Sequence, residues 1–313
     1  MIVTLTMNPA IDKTARVEAL CPHALNRLGR VEQDVGGKGI NVSKMLAALD
    51  QDSIACGFAA GQAGRTVVET LHSWPQGHIT PDFVCIPGET RTNLKLVEAD
   101  GALTELNEPG PAATAEQVET LTGRLLAHAG PETLFVLAGS IGPGVPPDIY
   151  GTLTGRLRAA GAKVMADADG PLFARAVQAA PDVVKPNCFE LCQYFGVETT
   201  DDPALLVPMG RALTRRGVGL VCISMGAGGA CFVAGETAWF APALPVTPRS
   251  TVGAGDAMLA GVACGMDRHL PLEDCLRLGM AASAAACTTP GTRPPERAAV
   301  MELLNQVKLT NYR

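Results

Sequence analysis

The densest chemistry in this chain lies in eight residues, Thr251-Val252-Gly253-Ala254-Gly255-Asp256-Ala257-Met258. Met258, Leu259 and Val262 follow at helical spacing, so the octet reads as a bend that opens a helix. Gly253 and Gly255 carry no Cβ, which lets a ligand approach the backbone. The amides of Ala254, Gly255 and Asp256 then sit free at the positive end of the helix dipole, an arrangement that binds anions. Asp256 admits two readings. One is a carboxylate that only favours a helix start. The other is a base that takes a hydroxyl proton beside a cradled phosphoryl group. A helix N-terminus lowers a carboxylate's pKa and weakens it as a base. Phosphoryl transfer, however, depends more on positioning and charge stabilisation than on early proton removal.

Four other stretches could bind a ligand. Gly36-Gly37-Lys38-Gly39-Ile40-Asn41 puts glycines, a cation and an amide side chain at a helix start. It is not a Walker loop, because Gly follows GK where Ser or Thr is needed. Either it is a Gly-rich turn with a solvated lysine, or Lys38, Asn41 and the amides hold an anionic, oxygen-rich substrate. Arg91, in Thr90-Arg91-Thr92-Asn93, is either a charge that protects an edge strand or a fork for a phosphate. In Lys185-Pro186-Asn187-Cys188-Phe189-Glu190, Asn187 and Glu190 suit an N-cap and its capping box. They equally suit orienting water around a nucleotide-bound Mg²⁺, which keeps several of its waters. Ser224-Met225-Gly226-Ala227-Gly228-Gly229 lacks the spacing of a dinucleotide fingerprint, and its glycines would admit an adenosine phosphate. Asp167 and Asp169 could pair on a metal.

These stretches need a scaffold that brings them together. The chain has 313 residues, 47% of them apolar, with 34 glycines and 4% aromatics, enough for one large α/β domain. Its net charge of -6 gives no general attraction to nucleic acid or to an anionic membrane. An anionic substrate must therefore be held by a local cluster of cations and amides. The ten cysteines lack C-x-x-C spacing and read as reduced thiols of a cytoplasmic protein. The five histidines show no metal-ligand spacing. The amino terminus reads as a first strand and not as a signal peptide, and no apolar run reaches the ~18 residues of a membrane span.

Along the chain, apolar runs at 2–6, 53–58, 133–138, 162–166, 182–185 and 220–224 read as buried strands. Helical patterns alternate with them, and three more helices close the chain, at about 254–267, 271–288 and 295–308. Five of the breaks fall at carboxyl ends of strands, the rim where open α/β sheets bind ligands. Asp12 follows the first strand there. Residues 14–35 lack helical period, with one candidate edge strand over 27–31. Strands at 82–86, 91–98 and 102–107, the last two joined through Asp100-Gly101, read as a small antiparallel sheet acting as a lid. Its apolar side needs covering by ligand or by a second subunit. Thr114 and Gln117 suit a capping box, and Gly235-Glu236 suits a II′ hairpin.

Taken in order, these motifs resemble the phosphofructokinase-B branch of the ribokinase-like superfamily, most closely its 1-phosphofructokinase and tagatose-6-phosphate kinase groups. The resemblance runs nearly end to end, from Thr6-Met7-Asn8-Pro9-Ala10-Ile11-Asp12 through Gly139-Ser140 to Thr251–Asp256. It implies a three-layer αβα sandwich with a mostly parallel sheet, one domain over residues 1–313, and a β lid inserted from about 12–35 and 88–108. It also implies ATP-dependent phosphorylation of a ketohexose monophosphate, fructose 1-phosphate at C6 ahead of tagatose 6-phosphate or fructose 6-phosphate. Asp256 would be the base, and Gly253, Ala254 and Gly255 would form the anion hole with it. Asp12, Gly37, Lys38, Asn41, Arg91, Asn93 and Ser140 would hold the phosphosugar. Lys185, Asn187, Ser224, Gly226 and Gly229 would line the ATP side, with Glu190 near Mg²⁺. A homodimer through the lid is expected, as is a K⁺ ion on backbone near Ser250 and Val252. Three departures bear on the choice of sugar. They are Ala138, Ile141 and Gly142 where the family has Ser, Leu and Pro, Asp169 where Ser is common, and Ala257 where Ser follows the catalytic acid. A rival reading is a phosphosugar or nucleotide sensor without catalysis.

Overall fold

The computed structural model describes residues 1–312. Seven strands run parallel at the centre: β1 (Ile2–Thr6), β4 (Ser53–Ala60), β5 (Ile79–Ile86), β8 (Leu134–Ala138), β9 (Lys163–Asp167), β10 (Val183–Val184) and β11 (Leu220–Ser224). Beside β11 lie three antiparallel strands, β12 (Ala230–Ala234), β13 (Thr237–Ala241) and β14 (Thr310–Asn311). The order across the ten is β14-β13-β12-β11-β10-β9-β8-β1-β4-β5. The strands are near-continuous apolar runs because helices cover both faces, so alternate residues of one strand enter different cores. In β1, Ile2 packs with Val42 and Leu259 on one side, while Val3 and Leu5 pack with Leu121 and Tyr150 on the other.

On the first face lie α1 (Lys38–Ala48), α2 (Gly61–His72), α8 (Ala254–Asp267), α9 (Leu272–Cys287) and α10 (Arg297–Leu304). On the second lie α3 (Ala115–Ala127), α4 (Ile149–Ala159), α5 (Gly170–Gln178), α6 (Cys188–Phe195) and α7 (Pro203–Thr214). The three layers are those that the resemblance implies. α8 and α9 touch backbone to backbone: a Cβ on Gly261 would lie 2.7 Å from the Cα of Gly279. That contact leaves α8 little room to slide, so its N-terminus is held at the sheet rim.

A separate four-stranded sheet, in the order β3-β2-β6-β7, stands over the rim. It comprises β2 (Ala10–Arg16), β3 (Val31–Gly36), β6 (Arg91–Val97) and β7 (Leu103–Asn107). The pairs β2–β3 and β6–β7 are antiparallel, and β2–β6 joins them in parallel. Three sequence expectations change here. The strand expected at 82–86 is part of β5, which pairs in parallel with β4 at the edge of the main sheet and is no part of the lid. Residues 27–30 are not strand, and β3 begins at Val31. Asp12 lies within lid strand β2, because the chain turns at Asn8-Pro9 and pairs again at once. The polar alternation of β2 and β3 hid both strands from a search for apolar runs.

The Thr114–Gln117 capping box forms with both of its hydrogen bonds. Gly235 has φ +58 between β12 and β13, as a II′ hairpin requires. All ten cysteines are free. Among the described residues, no helix is long and apolar enough to cross a membrane.

Candidate active site

The rim expected from the sequence gathers its residues from seven elements. Asp256 is at the third position of α8, after Gly253, whose φ of +81 makes the left-handed turn into the helix. The first helical hydrogen bond runs from the Ala257 amide to the Gly253 carbonyl. Among the described residues nothing accepts from the amides of Gly253, Gly255 or Asp256, so these stay available to an anion. The Ala254 amide differs from expectation. It donates to the Thr251 carbonyl at 3.3 Å and is partly spent.

The Asp256 carboxylate is 7% exposed and accepts from Asn41 Nδ2 at 2.8 Å. Asn41 sits one turn into α1, so the helix opened by Gly36-Gly37 reaches across to the acid that opens α8. The expectation of a lowered Asp256 pKa is overturned. Burial pushes it up to about 6, nearby Asp167 adds to the rise, and Asn41, Lys38 and Lys185 only partly oppose it. The dipole argument fails because desolvation outweighs it at a site this closed.

Asp167, at the end of β9, is 1% exposed and held between two lysines. Lys38 Nζ lies 3.1 Å from Oδ1, and Lys185 Nζ lies 3.2 Å from Oδ2. Burial alone would raise this carboxyl, but Lys185 and Lys38 overcome it and hold Asp167 below the usual range. Asp167 in turn raises the pKa of Lys38. Asp169, which could pair with Asp167 on a metal, belongs to the start of the next helix, where it is the N-cap residue of α5. Lys185 also faces the turn of α8, because a Cβ on Gly255 would lie 2.9 Å from its Nζ. A compact charged floor, Lys38-Asp167-Lys185, therefore underlies the N-terminus of α8.

On the lid side, Asp12 and Asn93 are register partners of β2 and β6, and Asn93 Nδ2 donates to Asp12 Oδ1 at 2.9 Å. Gly36 faces Asp12 across β3, where a Cβ would collide with the carboxylate at 2.3 Å. Gly37 is the N-cap residue of α1. Arg91 starts β6 and donates from Nη1 to the Glu108 carbonyl at 3.3 Å. Its buried Nε and the buried Oδ1 atoms of Asn41 and Asn93 have no partner. Unsatisfied polar atoms of this kind are what a polar ligand could complete. Ser140 is exposed after Gly139, which is pinned by Tyr150 Oη and by its own amide on the Asp167 carbonyl.

A cavity of about 600 Å³ opens on the other side of Gly255. Asn187, Ser224, Gly226 and Gly229 all line it, whereas Lys185 does not. Asn187 and Glu190 form a complete capping box for α6, with both hydrogen bonds at 2.8 Å. The cap and the cavity wall are thus one residue. Glu190 Oε2 is engaged by the Asn187 amide, and burial raises the pKa of this carboxyl. Gly229 is required by packing, since a Cβ there would lie 2.1 Å from the Ala241 carbonyl oxygen. Sequence reasoning missed the far wall, Met280, Ser283, Ala284 and Cys287 of α9 together with Pro245 and Val246. The run of small residues at 281–286 was the available signal, since only such a helix face leaves a cavity beside it.

The family model for pfkB family carbohydrate kinases matches residues 1–299. The chain is 39% identical to a 1-phosphofructokinase of Xanthomonas campestris over 288 residues, covering 90% of this chain and 89% of that one. It is 33% identical to a 1-phosphofructokinase of Bacillus subtilis, covering 99% of both. Among solved structures, phosphofructokinase-2 of Escherichia coli in complex with potassium superposes with a TM-score of 0.91 at 28% identity, covering 97% of this chain and 98% of the other.

Proposed function

The chain belongs to the pfkB family of carbohydrate kinases, and on that premise we propose that it transfers the γ-phosphoryl group of ATP to the C6 hydroxyl of fructose 1-phosphate, giving fructose 1,6-bisphosphate. One observation carries the mechanism. A buried carboxylate with its pKa near 6 stands at a helix N-terminus whose following amides are free, beside a 600 Å³ cavity.

The two sides divide the substrates by chemistry. Asp12, Asn93 and Asn41 offer the acceptors and donors that sugar hydroxyls need, while Arg91 and Lys38 supply cations for the sugar phosphate. Gly37 and Ser140 bring backbone and a hydroxyl to the same rim. The cavity lined by Asn187, Ser224, Gly226 and Gly229, with apolar Val246 and Met280, is large enough for a nucleotide. Asp256 aligns the attacking hydroxyl and takes its proton. The amides of Gly253, Gly255 and Asp256 stabilise charge on the phosphoryl oxygens in transit, and Lys185 and Lys38 add positive potential from below. A buried base at about 6 is ionised at neutral pH yet basic enough to accept a proton, the balance a general base needs.

Glu190 is the residue we assign to Mg²⁺. Its carboxylate uses one oxygen in the cap, which leaves the other to bind water of a hydrated ion. The ion would neutralise phosphate charge on ATP. A K⁺ ion is assigned near Ser250 and Val252, where Val252 and Gly253 border a small cavity of about 10 Å³ that Arg293 also lines. It is also in keeping with the potassium complex of the Escherichia coli relative. Exposed Val31 and Leu106, which register places on one face of the lid, support a homodimer formed through it. Free thiols throughout suit the cytoplasm.

The test is turnover across a panel of fructose 1-phosphate, tagatose 6-phosphate, fructose 6-phosphate and unphosphorylated fructose with MgATP. The reading requires the highest kcat/KM on fructose 1-phosphate. Faster turnover of another sugar would replace the substrate, and binding without ADP release would make the protein a sensor.

A further inference from the structure

Away from the rim, three donor atoms of different chemistry meet where α3 ends over the edge of the main sheet. Cys56 of β4 and Asp82 of β5 are register partners in a parallel pair, so both side chains leave the same face. His128 caps the C-terminus of α3 directly above them. Its Nε2 lies 2.9 Å from Asp82 Oδ2. The Cys56 Sγ, one Asp82 oxygen and one His128 ring nitrogen all lie within 4.8 Å of one another. None of the three has a part in the phosphoryl-transfer site.

We infer that Cys56, Asp82 and His128 form a binding site for one borderline-soft divalent cation of the zinc type, with water in the fourth position. A thiolate, an imidazole and a carboxylate are the donor set that suits zinc or cobalt and does not suit magnesium. Bonds of about 2.0–2.3 Å in a tetrahedron put ligand atoms roughly 3.5 Å apart. Any separation therefore needs to close by at most about 1.3 Å, and the His128–Asp82 contact must open by about 0.6 Å, within reach of rotamer adjustment. Asp82 is already oriented, because Arg124 Nη1 holds its other oxygen at 2.8 Å and the Phe83 carbonyl at 3.0 Å. A carboxylate ligand fixed by an outer hydrogen bond is the usual arrangement in metal sites. Cys56 is fully buried, whereas His128 and Asp82 are 26% and 28% exposed, so the ion enters from the α3 side.

Binding exchanges one proton for the ion. The Cys56 S–H bond breaks and its proton goes to solvent, a metal–sulfur bond forms, and no electrons are transferred. His128 coordinates through Nε2 as the neutral ring with its proton on Nδ1. The bound ion ties β4, the edge strand β5 and α3 to one point, which stabilises the native state by mass action.

The experiment is a Co²⁺ titration of the full chain after dialysis against chelator, read by the thiolate-to-cobalt charge-transfer absorption. The expected result is a band that saturates at one equivalent and is lost in Cys56→Ser, while Cys85→Ser, at an exposed cysteine of the neighbouring strand β5, retains it. His128→Gln, at a partly exposed position that leaves the core intact, weakens apparent affinity at least about tenfold. Saturating Zn²⁺ raises Tm of the unmodified protein by about 2 °C or more and leaves Tm of His128→Gln unchanged. No thiolate band, a band that persists in His128→Gln at full affinity, or equal Tm shifts in both proteins overturns the site and leaves these residues as an ion pair beside a buried thiol.

Discussion

Replacing Asp256 by Asn separates what the site costs the fold from what it gives the reaction. Native burial raises this carboxyl from 3.8 to about 6. At 1.36 kcal/mol per pKa unit, keeping it ionised costs the folded state about 3 kcal/mol at neutral pH. The sign follows from linkage. Below pH 3.8 the group is protonated in both states and costs nothing. Between 3.8 and about 6 the unfolded chain ionises first, so stability falls as pH rises, and above about 6 the cost is constant. An amide is isosteric, cannot ionise, and still accepts from Asn41 Nδ2 through its carbonyl oxygen. Asp256→Asn should therefore match the unmodified protein near pH 4 and exceed it by up to about 3 kcal/mol at pH 7. That is roughly 5 °C in Tm for a chain of this size. In the same protein kcat should fall by about 10²–10⁴ as the base is lost. Thermal melts of both proteins from pH 4 to 7, together with coupled assays of ADP release, measure both effects. A variant less stable at pH 7, or a Tm difference that does not change with pH, would refute the claim that Asp256 is held ionised against burial.

Other consequences follow from the same geometry. The log of kcat/KM should fall with slope one on the acid side of an apparent pKa near 6, because the proton-accepting form of Asp256 is lost there; a flat acid limb down to pH 5 would exclude it as base. Arg91→Ala should raise KM for the phosphosugar about 10–100-fold with kcat little changed, the worth of one charge-assisted bond to phosphate. Unphosphorylated fructose should show no such change. Lys185→Met should lower stability by about 3 kcal/mol, since it leaves Asp167, 1% exposed, with Lys38 as its one remaining cation. Lys185→Met combined with Asp167→Asn should recover most of that loss in a denaturant titration.

Much of the scaffold was legible because it rests on local rules. The parallel strands are short apolar runs, the two capping boxes are written as Thr114 with Gln117 and Asn187 with Glu190, and Gly253 and Gly255 mark a helix start that must stay open. What was not legible depends on contacts distant in sequence. β2 and β3 are half polar because they stand over the rim, so their alternation carries no core signal until the lid is known. β5 looked like lid sequence because it lies beside lid strands in the chain, yet its partner is β4. The role of Asp167 could not be read either. Its clamp is made by Lys38, 129 residues away, and by Lys185 from the next strand, and no spacing rule connects the three. The raised pKa of Asp256 reversed a dipole argument that was sound for an exposed helix end.

These long-range links share one element. On α1, Lys38, Asn41 and Lys44 recur every three residues, and each binds an acid from a different part of the fold. Lys38 takes Asp167 at the end of β9, Asn41 takes Asp256 of α8, and Lys44 takes Asp34 of lid strand β3 at 2.7 Å. Lys44 is fully buried over the Trp74 ring, and burial lowers its pKa although Asp34 opposes the shift. Burying an ammonium at that depth is a poor way to gain stability, since a hydrophobic replacement often does as well. Its effect is better understood as register. Asp34 pairs across the lid with Asp12 and also accepts from Thr292, which lies against Gly253 at the turn into α8. One rigid helix thus sets the position of Asp34, the charged floor and Asp256, the proposed base, together. The two sides proposed for sugar and nucleotide are thereby held to a common frame, as a transfer that depends on alignment requires.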